Sequence, residues 1–580
     1  MPASFKPQAV LILAGMAALL AVFRASTPGQ PPGTPQPAET YVEALIGMPR
    51  YINPLLASSE SDRDLTHLVF SGLTRVDERG NIAPDLADNW QASPDSRVFT
   101  FTIRPDARWH DGQPVTADDV VFTINLIKAP DFPGDPDLVM IWHDVNVDAP
   151  THQMVRFTLP TPDAGFIQHT TLGILPRHLW GHISGSGLLN SELNRSPVGS
   201  GAWRLAGGSI AAGDSGHGSD TATEAGSTPA PARTPLSSGQ LSPEQGVLLE
   251  ANPEVGAAGP WSRVGRLWFR LYPTFGAALT ALRLGEVHGL GHIPADRLHE
   301  VEALPGVTVH RQALARYTML LINVRSPLFD RAETRQALEY AIDRKALVEQ
   351  ALNGEALPAY SPILPRSWAY DGSITPRKYD PALARKLLDT AGWVPGPDGV
   401  RMRDGVTMTV VLAANSDVPS NVAVAQQVGQ YLRDVGIDVR LALVGRDTLL
   451  KDYLGPRAFH LVLASREAQG ADPDVYDYWH SSQASVQGGL NFAGWTNPEA
   501  DRALEAARQT SDRATRARYY AEFQKVFYQD VPAVILYTPL YAYATRLPAE
   551  GITLPAYEML GPAYRFDTLR NWGLQVGRLP

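Results

Sequence analysis

A short acidic and aromatic stretch near the end of the chain has the composition that a small-ligand site uses. It reads Asp472-Pro473-Asp474-Val475-Tyr476-Asp477-Tyr478-Trp479. Its first half has the acidic spacing of a calcium loop, but the sharp-turn glycine and the closing glutamate of an EF-hand are missing. Two interpretations remain open: a turn nucleated by proline and capped by Asp472, or a loop that faces a ligand.

The other patterns that could carry chemistry are incomplete. His288 and His292 are four residues apart, which gives one face only on a helix. Three glycines in that segment disfavour a helix, and with it a metal site. Gly199-Ser200-Gly201 is only part of a nucleophile elbow, and the chain has no Walker loop, dinucleotide fingerprint, HExxH motif or cysteine. The sequence therefore predicts no catalytic residue, no metal and no cofactor, and it does not predict an enzyme.

The composition is that of a folded, mildly acidic protein. The chain has 580 residues, of which 44% are hydrophobic, so disorder throughout is excluded. Lys and Arg number 50 against 60 Asp and Glu, for a formal net charge of −10. Without a basic surplus, nucleic acid is not a predicted partner. At roughly 150 residues per domain, the length suggests about three or four domains.

The first 38 residues read as a targeting segment followed by a linker. Lys6 precedes an apolar run from Ala9 to Phe23, which is too short for a bilayer and is typical of an export signal. Because Phe23 and Arg24 replace the small residues that favour cleavage, an uncleaved anchor is the competing interpretation. Residues 26–37 are rich in proline and glycine and predict a tether.

Strands and helices interleave from Glu39 onward. Val98–Ile103 alternates with a period of two and predicts a half-buried strand. Start signals mark three predicted helices, at Thr116, at Asp330 (continuing through Val348 to a stop at Gly354) and at Asp380. A fourth predicted helix runs from Arg513 to Tyr528 and leads into a strand at 533–537. This order predicts α/β layers in several lobes.

Residues 207–246 interrupt the pattern with Gly, Ser, Ala, Thr and Pro and almost no large apolar side chain. Such a segment cannot offset the entropy of ordering and predicts a disordered surface insertion. Trp203-Arg204-Leu205 before it and Val247–Glu250 after it predict the two strands of a hairpin, with the insertion as its loop.

A set of motifs spread over residues 39–570 resembles the peptide/nickel-type (family 5) solute-binding proteins of ABC importers. The matching segments run in the family's order: Asn53-Pro54-Leu55, Gly72-Leu73-Thr74, Ala83–Ala87 with Trp90, Trp109-His110-Asp111-Gly112, Thr116–Phe122, Ile174–His178, Pro197–Gly201, Arg335–Leu338, Ala341–Arg344 and Leu387–Trp393. Each motif is weak alone, but the ordered set is specific.

The resemblance implies an α/β, two-lobed periplasmic-binding-protein-like fold with a hinge and an extra third domain. It places a discontinuous first domain at 39–78, 196–310 and 530–580, a second at 79–195 and a third at 311–529. It implies an extracytoplasmic receptor, in the periplasm or at the cell surface, that binds oligopeptides as a monomer and delivers them to an ABC permease. Oligosaccharide, nickel chelate and opine remain alternative ligands, and an extracytoplasmic hydrolase is the alternative of another class.

The resemblance also implies where ligand contacts lie, although core packing is the competing role for every aromatic among them. The predicted contacts are Ser59, Glu60, Trp203, Tyr317, Gln469, Asp472, Tyr476, Trp479, Asn491 and Trp495. Peptide-binding relatives often have an aspartate at the position of Gln469, where it holds the peptide's ammonium group. A neutral amide can accept a hydrogen bond but supplies no charge there. This departure disfavours recognition of an ordinary free amino terminus unless the loop shifts and the nearby Glu467 substitutes.

Overall fold

A computed structural model gives the fold and describes residues 39–206, 246–253, 264–468, 470–485 and 489–574. Every structural statement below concerns these residues. The predicted export segment and tether, the insertion up to residue 245, and Gln469 lie outside them, so the predictions made for those residues are not addressed by the structure.

The strands are numbered in chain order. In the first part of the chain they are β1 (Glu39–Ile46), β2 (Thr74–Val76), β3 (Ile82–Pro84), β4 (Ala87–Ala92), β5 (Val98–Ile103), β6 (Asn146–Thr151), β7 (Met154–Thr158), β8 (Trp203–Leu205), β9 (Gly246–Ala251), β10 (Val264–Tyr272), β11 (Gly289–Leu290) and β12 (Val307–Ala313). Those that follow are β13 (Arg316–Ile322), β14 (Ala356–Pro358), β15 (Val394–Pro395), β16 (Arg401–Arg403), β17 (Val406–Thr407), β18 (Thr409–Asn415), β19 (Asp438–Val444), β20 (Leu461–Glu467), β21 (Ala533–Arg546), β22 (Ala549–Glu550) and β23 (Gly573–Leu574).

The α-helices are numbered in the same way. They are α1 (Glu60–Val69), α2 (Ala117–Ile127), α3 (Pro136–Trp142), α4 (Arg177–Trp180), α5 (Phe275–Leu284), α6 (Leu298–Glu302), α7 (Ala332–Ala341), α8 (Arg344–Ala351), α9 (Pro381–Thr390), α10 (Pro419–Asp434), α11 (Arg446–Thr448), α12 (Tyr476–Trp479), α13 (Pro498–Arg508) and α14 (Arg513–Asp530). Short 3₁₀ segments include Phe166–Thr171, and a π-helical turn spans Leu449–Leu454.

One twelve-stranded sheet joins the two lobes. Its strand order is β19-β18-β20-β13-β21-β11-β1-β10-β9-β8, and β12 and β14 also pair with β21. The long β21 pairs with β13 near Tyr537 and with β12 from Leu540 onward, so the chain passes between the lobes at 313–316 and again at 537–540. We call residues 40–313 and 540–574 the first lobe and residues 316–537 the second lobe; these two crossings form the hinge between them.

A separate four-stranded antiparallel sheet, in the order β4-β5-β7-β6, lies within the first lobe. It falls inside the predicted second domain, 79–195, whose boundaries stay a prediction. The predicted strand Val98–Ile103 is confirmed with these limits, and its buried and half-buried residues alternate. The hairpin around the insertion is also confirmed, because β8 pairs antiparallel with β9 through Arg204 and Glu250.

Capping explains where two of the predicted helices begin. Asp119 accepts hydrogen bonds from the backbone N–H of Thr116 (2.8 Å) and from its hydroxyl (3.0 Å), which fixes the start of α2. Asp380 accepts from the N–H of Leu383 (2.9 Å) ahead of proline at the first position of α9. Both predicted starts are confirmed.

The single helix predicted from Asp330 through Val348 is wrong, because the structure has two helices there, α7 and α8. Ile342 between them is extended, with φ −105° and ψ 116°. Asp343 then caps the second helix by accepting from the N–H groups of Lys345 (3.1 Å) and Ala346 (3.0 Å). An internal aspartate that satisfies free N–H groups begins a new helix rather than continuing the old one.

A buried ion cluster, which we call the core cluster, connects β1, α1 and the 3₁₀ segment Pro562–Asn571 of the first lobe. Arg565 donates two hydrogen bonds to Asp64 (2.8 and 2.6 Å) and one to Glu43 (3.0 Å), and all three residues are 0% exposed. Tyr543 donates to the other oxygen of Glu43 (2.7 Å), and the His292 ring contacts Asp64 (3.1 Å). Every carboxylate oxygen of this cluster therefore has a partner.

Candidate functional site

Two adjoining cavities lie between the lobes. The first, of about 140 Å³, has walls at 79–81 and 557–560 of the first lobe and at 362–368, 466–468, 470–473 and 513 of the second. The second, of about 220 Å³, lies between 140–169 of the first lobe and 466, 472–478 and 508 of the second. Arg466 and Asp472 line both cavities, so this pair separates them. Together the cavities reach the lower end of the volume range of small-molecule sites, which is about 300 Å³.

The acidic stretch singled out in the sequence forms the wall that the two cavities share. Asp472 accepts a hydrogen bond from the N–H of Asp474 (3.1 Å), and Asp474 accepts one from the N–H of Tyr476 (2.9 Å), which leads into α12. These are turns closed by aspartate side chains. The capping role of Asp472 is thus confirmed, and the same residue also faces the cavities.

Two arginines from the next helices hold these carboxylates. Arg516, in the first turns of α14, donates to both oxygens of Asp472 (2.6 and 2.7 Å). Arg508, the last residue of α13, donates to Asp474 (2.6 Å) and to Asp477 (3.2 Å). Bidentate and shared pairs of this kind fix the position of the loop as well as its charge.

The lobes make direct hydrogen bonds beside the cavities. The N–H of Ala164 in the first lobe donates to the carbonyl of Arg508 in the second (2.8 Å). The side-chain oxygen of Gln168 accepts from the N–H of Asp472 (3.1 Å). These bonds join the 3₁₀ segment Phe166–Thr171 to the loop after β20, and the turn before that segment to the end of α13. The described conformation therefore has the lobes closed at this end.

Asp163 enters the second cavity from the first lobe. Its Oδ1 accepts from the N–H of Gly165 (2.9 Å). A β-carbon built on Gly165 would lie 3.2 Å from that oxygen and 3.1 Å from Oδ1 of Asp472, so the two carboxylates of opposite lobes flank this glycine. Burial raises the pKa of Asp163 to about 7; Arg508 opposes the shift and Asp474 and Asp472 add to it. We call Asp163, Asp472, Asp474, Arg508 and Arg516 the cleft cluster.

The two cavities carry opposite charge. The first is lined by four arginines against two acids, namely Arg79, Arg366, Arg466 and Arg513 against Asp472 and Glu558. The second is lined by five aspartates against two arginines, namely Asp144, Asp163, Asp472, Asp474 and Asp477 against Arg466 and Arg508. A low-dielectric cleft of this kind focuses a field along its length, so it suits a ligand with separated opposite charges.

The predicted contacts at the start of the chain lie elsewhere. Ser59 is exposed and caps α1, where it accepts from the N–H of Asp62 (3.1 Å). Glu60 is exposed and pairs with Arg63 (3.3 Å). Trp203 is 5% exposed and belongs to the core of the first lobe. None of these three predicted contacts lines the two cavities, and a ligand role for them stays a prediction.

The structure brings four of the predicted contacts together in the core of the second lobe. Tyr317, Trp479, Asn491 and Trp495 are at most 3% exposed. Asn491 donates to the carbonyl of Trp495 (2.9 Å), and the Trp495 indole donates to Asp530 (2.8 Å).

These contacts of Tyr317, Trp479, Asn491 and Trp495 are core packing, the competing role. Ligand contact by these four residues stays a prediction. The half-buried Tyr476 stacks on His480 at 4.1 Å between ring centroids. Of the described candidates, Asp472 alone lines the two cavities.

Sequence reasoning missed the residues that complete the cleft. Asp163, Gln168, Arg466, Arg508 and Arg516 lie up to 353 positions apart in the chain. No local spacing connects an aspartate in a Pro-Thr-Pro-Asp turn with arginines on two distant helices. Only Arg516 had a local signal, because it lies in the first turns of the helix predicted from Arg513.

A metal or a membrane span finds no support in the described part of the chain. No group of three or more His, Cys, Asp or Glu there is arranged to hold a metal ion. His288 accepts from the N–H of Val42 (3.0 Å), and His292 belongs to the core cluster, so both have structural partners. Among the same residues, no helix has the length and apolarity that crossing a bilayer requires.

The chain is similar to known proteins over nearly its whole length. It is 26% identical to the oligopeptide-binding protein AppA of Bacillus subtilis over 513 residues, which is 87% of each chain. The structure of that AppA in complex with a nonapeptide matches with a TM-score of 0.65 and 25% identity, covering 94% of this chain and all of the other. NikZ from Campylobacter jejuni in complex with Ni(L-His) matches with a TM-score of 0.66 and 26% identity, covering 93% and 100%.

A family model gives the assignment. The model of the bacterial extracellular solute-binding proteins, family 5, matches residues 81–210 and 235–487, which is well over half of the chain. The two-lobed fold with ligand-sized cavities between the lobes agrees with this match. The chain belongs to the bacterial extracellular solute-binding proteins, family 5.

Proposed function

We propose that this protein is the extracytoplasmic receptor of an ABC importer and that it encloses a peptide between its lobes. It acts by binding and delivery rather than by catalysis, as a monomer that an N-terminal export signal or uncleaved anchor places outside the cytoplasm. The names of its relatives support a peptide ligand, since the Bacillus subtilis AppA is an oligopeptide-binding protein and was solved with a nonapeptide.

The opposite charge of the two cavities is the observation that carries the proposal. A peptide with free ends has an ammonium group at one end and a carboxylate at the other. The acidic second cavity matches the first group, and the arginine-rich first cavity matches the second. An uncharged oligosaccharide gains nothing from such a field.

Arg466 adds a second reason. It is 9% exposed, and its Nη2 donates to the carbonyl of Asp474 (2.8 Å). Because Arg466 lines both cavities, its guanidinium is placed to donate to a peptide carbonyl or carboxylate in either of them.

Closure explains how binding becomes retention. The bonds from Ala164 to Arg508 and from Asp472 to Gln168 form only when the lobes meet. A ligand held against both walls adds to these bonds and shifts the population toward the closed form. The closed form is then the state that the permease receives.

The test is mass spectrometry of the ligand released by denaturing protein purified from its own host. We expect peptides with free amino termini. Release of nickel chelates, opines or sugars in place of peptides would contradict the proposal and select an alternative ligand class.

A pair of tryptophan variants locates the ligand. Leu364 is half-buried and lines the first cavity, so Leu364→Trp fills part of that space and should abolish peptide retention. Leu357, in the same lobe, is 49% exposed and lines neither of the two cavities. Leu357→Trp should retain peptide as the wild type does. Equal retention by both variants would place the ligand outside the cleft.

A further inference from the structure

Asp163 is the carboxylate of the cleft cluster that has no arginine partner. Among the described residues lining the second cavity, Asp472 pairs with Arg516, and Asp474 and Asp477 pair with Arg508. Asp144 lies at the exposed edge of the cavity, where it contacts the imidazole of His143. The hydrogen bond that Asp163 receives comes from a backbone N–H, that of Gly165. The cleft cluster thus contains three carboxylates and two arginines, and Asp163 is the carboxylate left without an arginine.

The residues around Asp163 do not provide a free cation for its carboxylate. Asp472 and Asp474 face it from the loop after β20, and Arg508 faces it from the end of α13. His169, in the 3₁₀ segment beside it, is not a cation at neutral pH, because burial lowers its pKa to about 4. Arg508 is already engaged by Asp474 and Asp477.

We propose that Asp163 is the specificity-determining residue of the cleft and selects a ligand that presents a cationic amino group to the second cavity. The inference rests on the proposed function and names the carboxylate that recognises the ligand's amino group. The acceptor comes from the first lobe, so a ligand amino group bound there connects the two lobes across the cleft and favours closure.

A proton and the ligand cation compete for the same carboxylate. In the empty closed cleft Asp163 holds a proton at pH 6, because its pKa is raised to about 7 by burial. An ammonium group binds the ionised form, so that proton is released to solvent on binding. Affinity for an amino-bearing ligand therefore rises from pH 6 to pH 8, although deprotonation of its α-amino group, whose ordinary pKa is about 7.7–8.0, offsets part of the rise. Affinity for the same ligand with a blocked amino group does not rise.

The experiment compares two tripeptide mixtures of random sequence, one with free amino termini and one N-acetylated. Wild type, Asp163→Asn and the control Asp148→Asn are mixed with each at pH 6 and pH 8, and the peptide retained through gel filtration is quantified by mass spectrometry. Asp148 lies in the same lobe and pairs with Arg156 at the surface (2.8 Å), so the control removes an equal charge away from the cleft.

We expect wild type and control to prefer free amino termini, more strongly at pH 8. Asp163→Asn should reduce this preference by roughly 10- to 100-fold, the range expected for one hydrogen bond between charged groups, and should remove its pH dependence. Asp163→Glu keeps a carboxylate and should retain the preference, which separates a charge effect from a loss of structure.

Three results would overturn the inference. If Asp163→Asn prefers free amino termini as strongly as the wild type does, Asp163 has no part in recognition, although peptide binding is intact. If Asp163→Glu and Asp163→Asn behave alike, Asp163 has a structural role. If the wild type retains neither mixture, the proposed function itself is contradicted and the inference fails with it.

Discussion

The core cluster and the cleft cluster use the same chemistry for different purposes. In the core cluster Arg565, Asp64 and Glu43 are fully buried, and every carboxylate oxygen has a hydrogen-bond partner. In the cleft cluster Arg516 and Arg508 engage their neighbours equally closely, yet one carboxylate remains unpaired. Carboxylates whose oxygens are all paired fix a fold, whereas a carboxylate without an ion-pair partner leaves a place for a ligand.

The pKa directions express the same difference. Asp64 is buried, but Arg565 and His292 outweigh that burial and lower its pKa. Asp163 has no engaged cation of its own, and burial raises its pKa. The contribution of Asp64 to stability is therefore present above its unfolded pKa of about 3.9 and is lost as the pH falls below it. That of Asp163 is present in acid and is lost as the pH rises through about 7.

The largest effect is expected from opening the core cluster. Arg565→Met leaves Glu43 and Asp64 buried without their cation, and breaking a buried pair in this way costs about 3–5 kcal/mol. Urea unfolding measures the loss. Arg63→Met is the control, since the Arg63–Glu60 pair is exposed (side chains 51% and 47%) and should contribute about 0–1 kcal/mol. If both variants lose a similar free energy of unfolding, the core cluster does not have this structural role.

A smaller loss of stability and a clear loss of binding are expected from Arg516→Met. This change frees Asp472, but Asp472 borders the cavities, so water reaches its carboxylate more readily than it reaches Asp64. We expect about 1–3 kcal/mol of destabilisation. We also expect that less peptide stays bound to the protein through gel filtration. A loss as large as that of Arg565→Met, with unchanged retention, would make the two clusters equivalent.

The pH dependence of stability should distinguish Asp163 from every paired acid. Asparagine resembles the protonated side chain, so the ionisation of Asp163 penalises wild type alone. The melting temperature of Asp163→Asn minus that of the ligand-free wild type should increase between pH 5 and pH 8, by roughly 2–4 °C. Scanning calorimetry of both proteins measures it. A difference that stays constant would mean that Asp163 titrates in the closed protein as it does in the unfolded chain.

The smallest effect is expected at the contact between lobes. Gln168→Leu removes the acceptor for the N–H of Asp472, which is worth about 0.5–1.5 kcal/mol in favour of closure. Small-angle X-ray scattering of the ligand-free protein should show a larger radius of gyration than that of wild type. An unchanged radius would show that this bond does not contribute to closure.

Sequence reasoning succeeded where the cause was local. The strand Val98–Ile103, the Asp119 and Asp380 caps and the hairpin around the insertion follow from neighbouring residues, and all are confirmed. The break at Asp343 was missed because a helix interior and a new cap offer the same hydrophobic spacing. The family motifs supplied the two-lobed fold, which periodicity alone does not specify.

The candidate site was predicted only in part, for a physical reason. Acids and aromatics in one stretch identify a loop, but not which side chains point into the cleft. Trp479, Trp495 and Tyr317 pack inside the second lobe, because a large ring stabilises a core as well as a cleft. The unpaired state of Asp163 depends on arginines more than 300 residues away, and it becomes visible only in three dimensions.

The most direct measurement is a crystal structure of the protein with a tripeptide that it retains. We predict that the peptide occupies both cavities, with its amino nitrogen about 2.7–3.2 Å from a carboxylate oxygen of Asp163 and its carboxylate among the arginines of the first cavity. A peptide whose amino group contacts Asp472 or Glu467 while Asp163 stays unliganded, or a peptide bound outside the cleft, would contradict it.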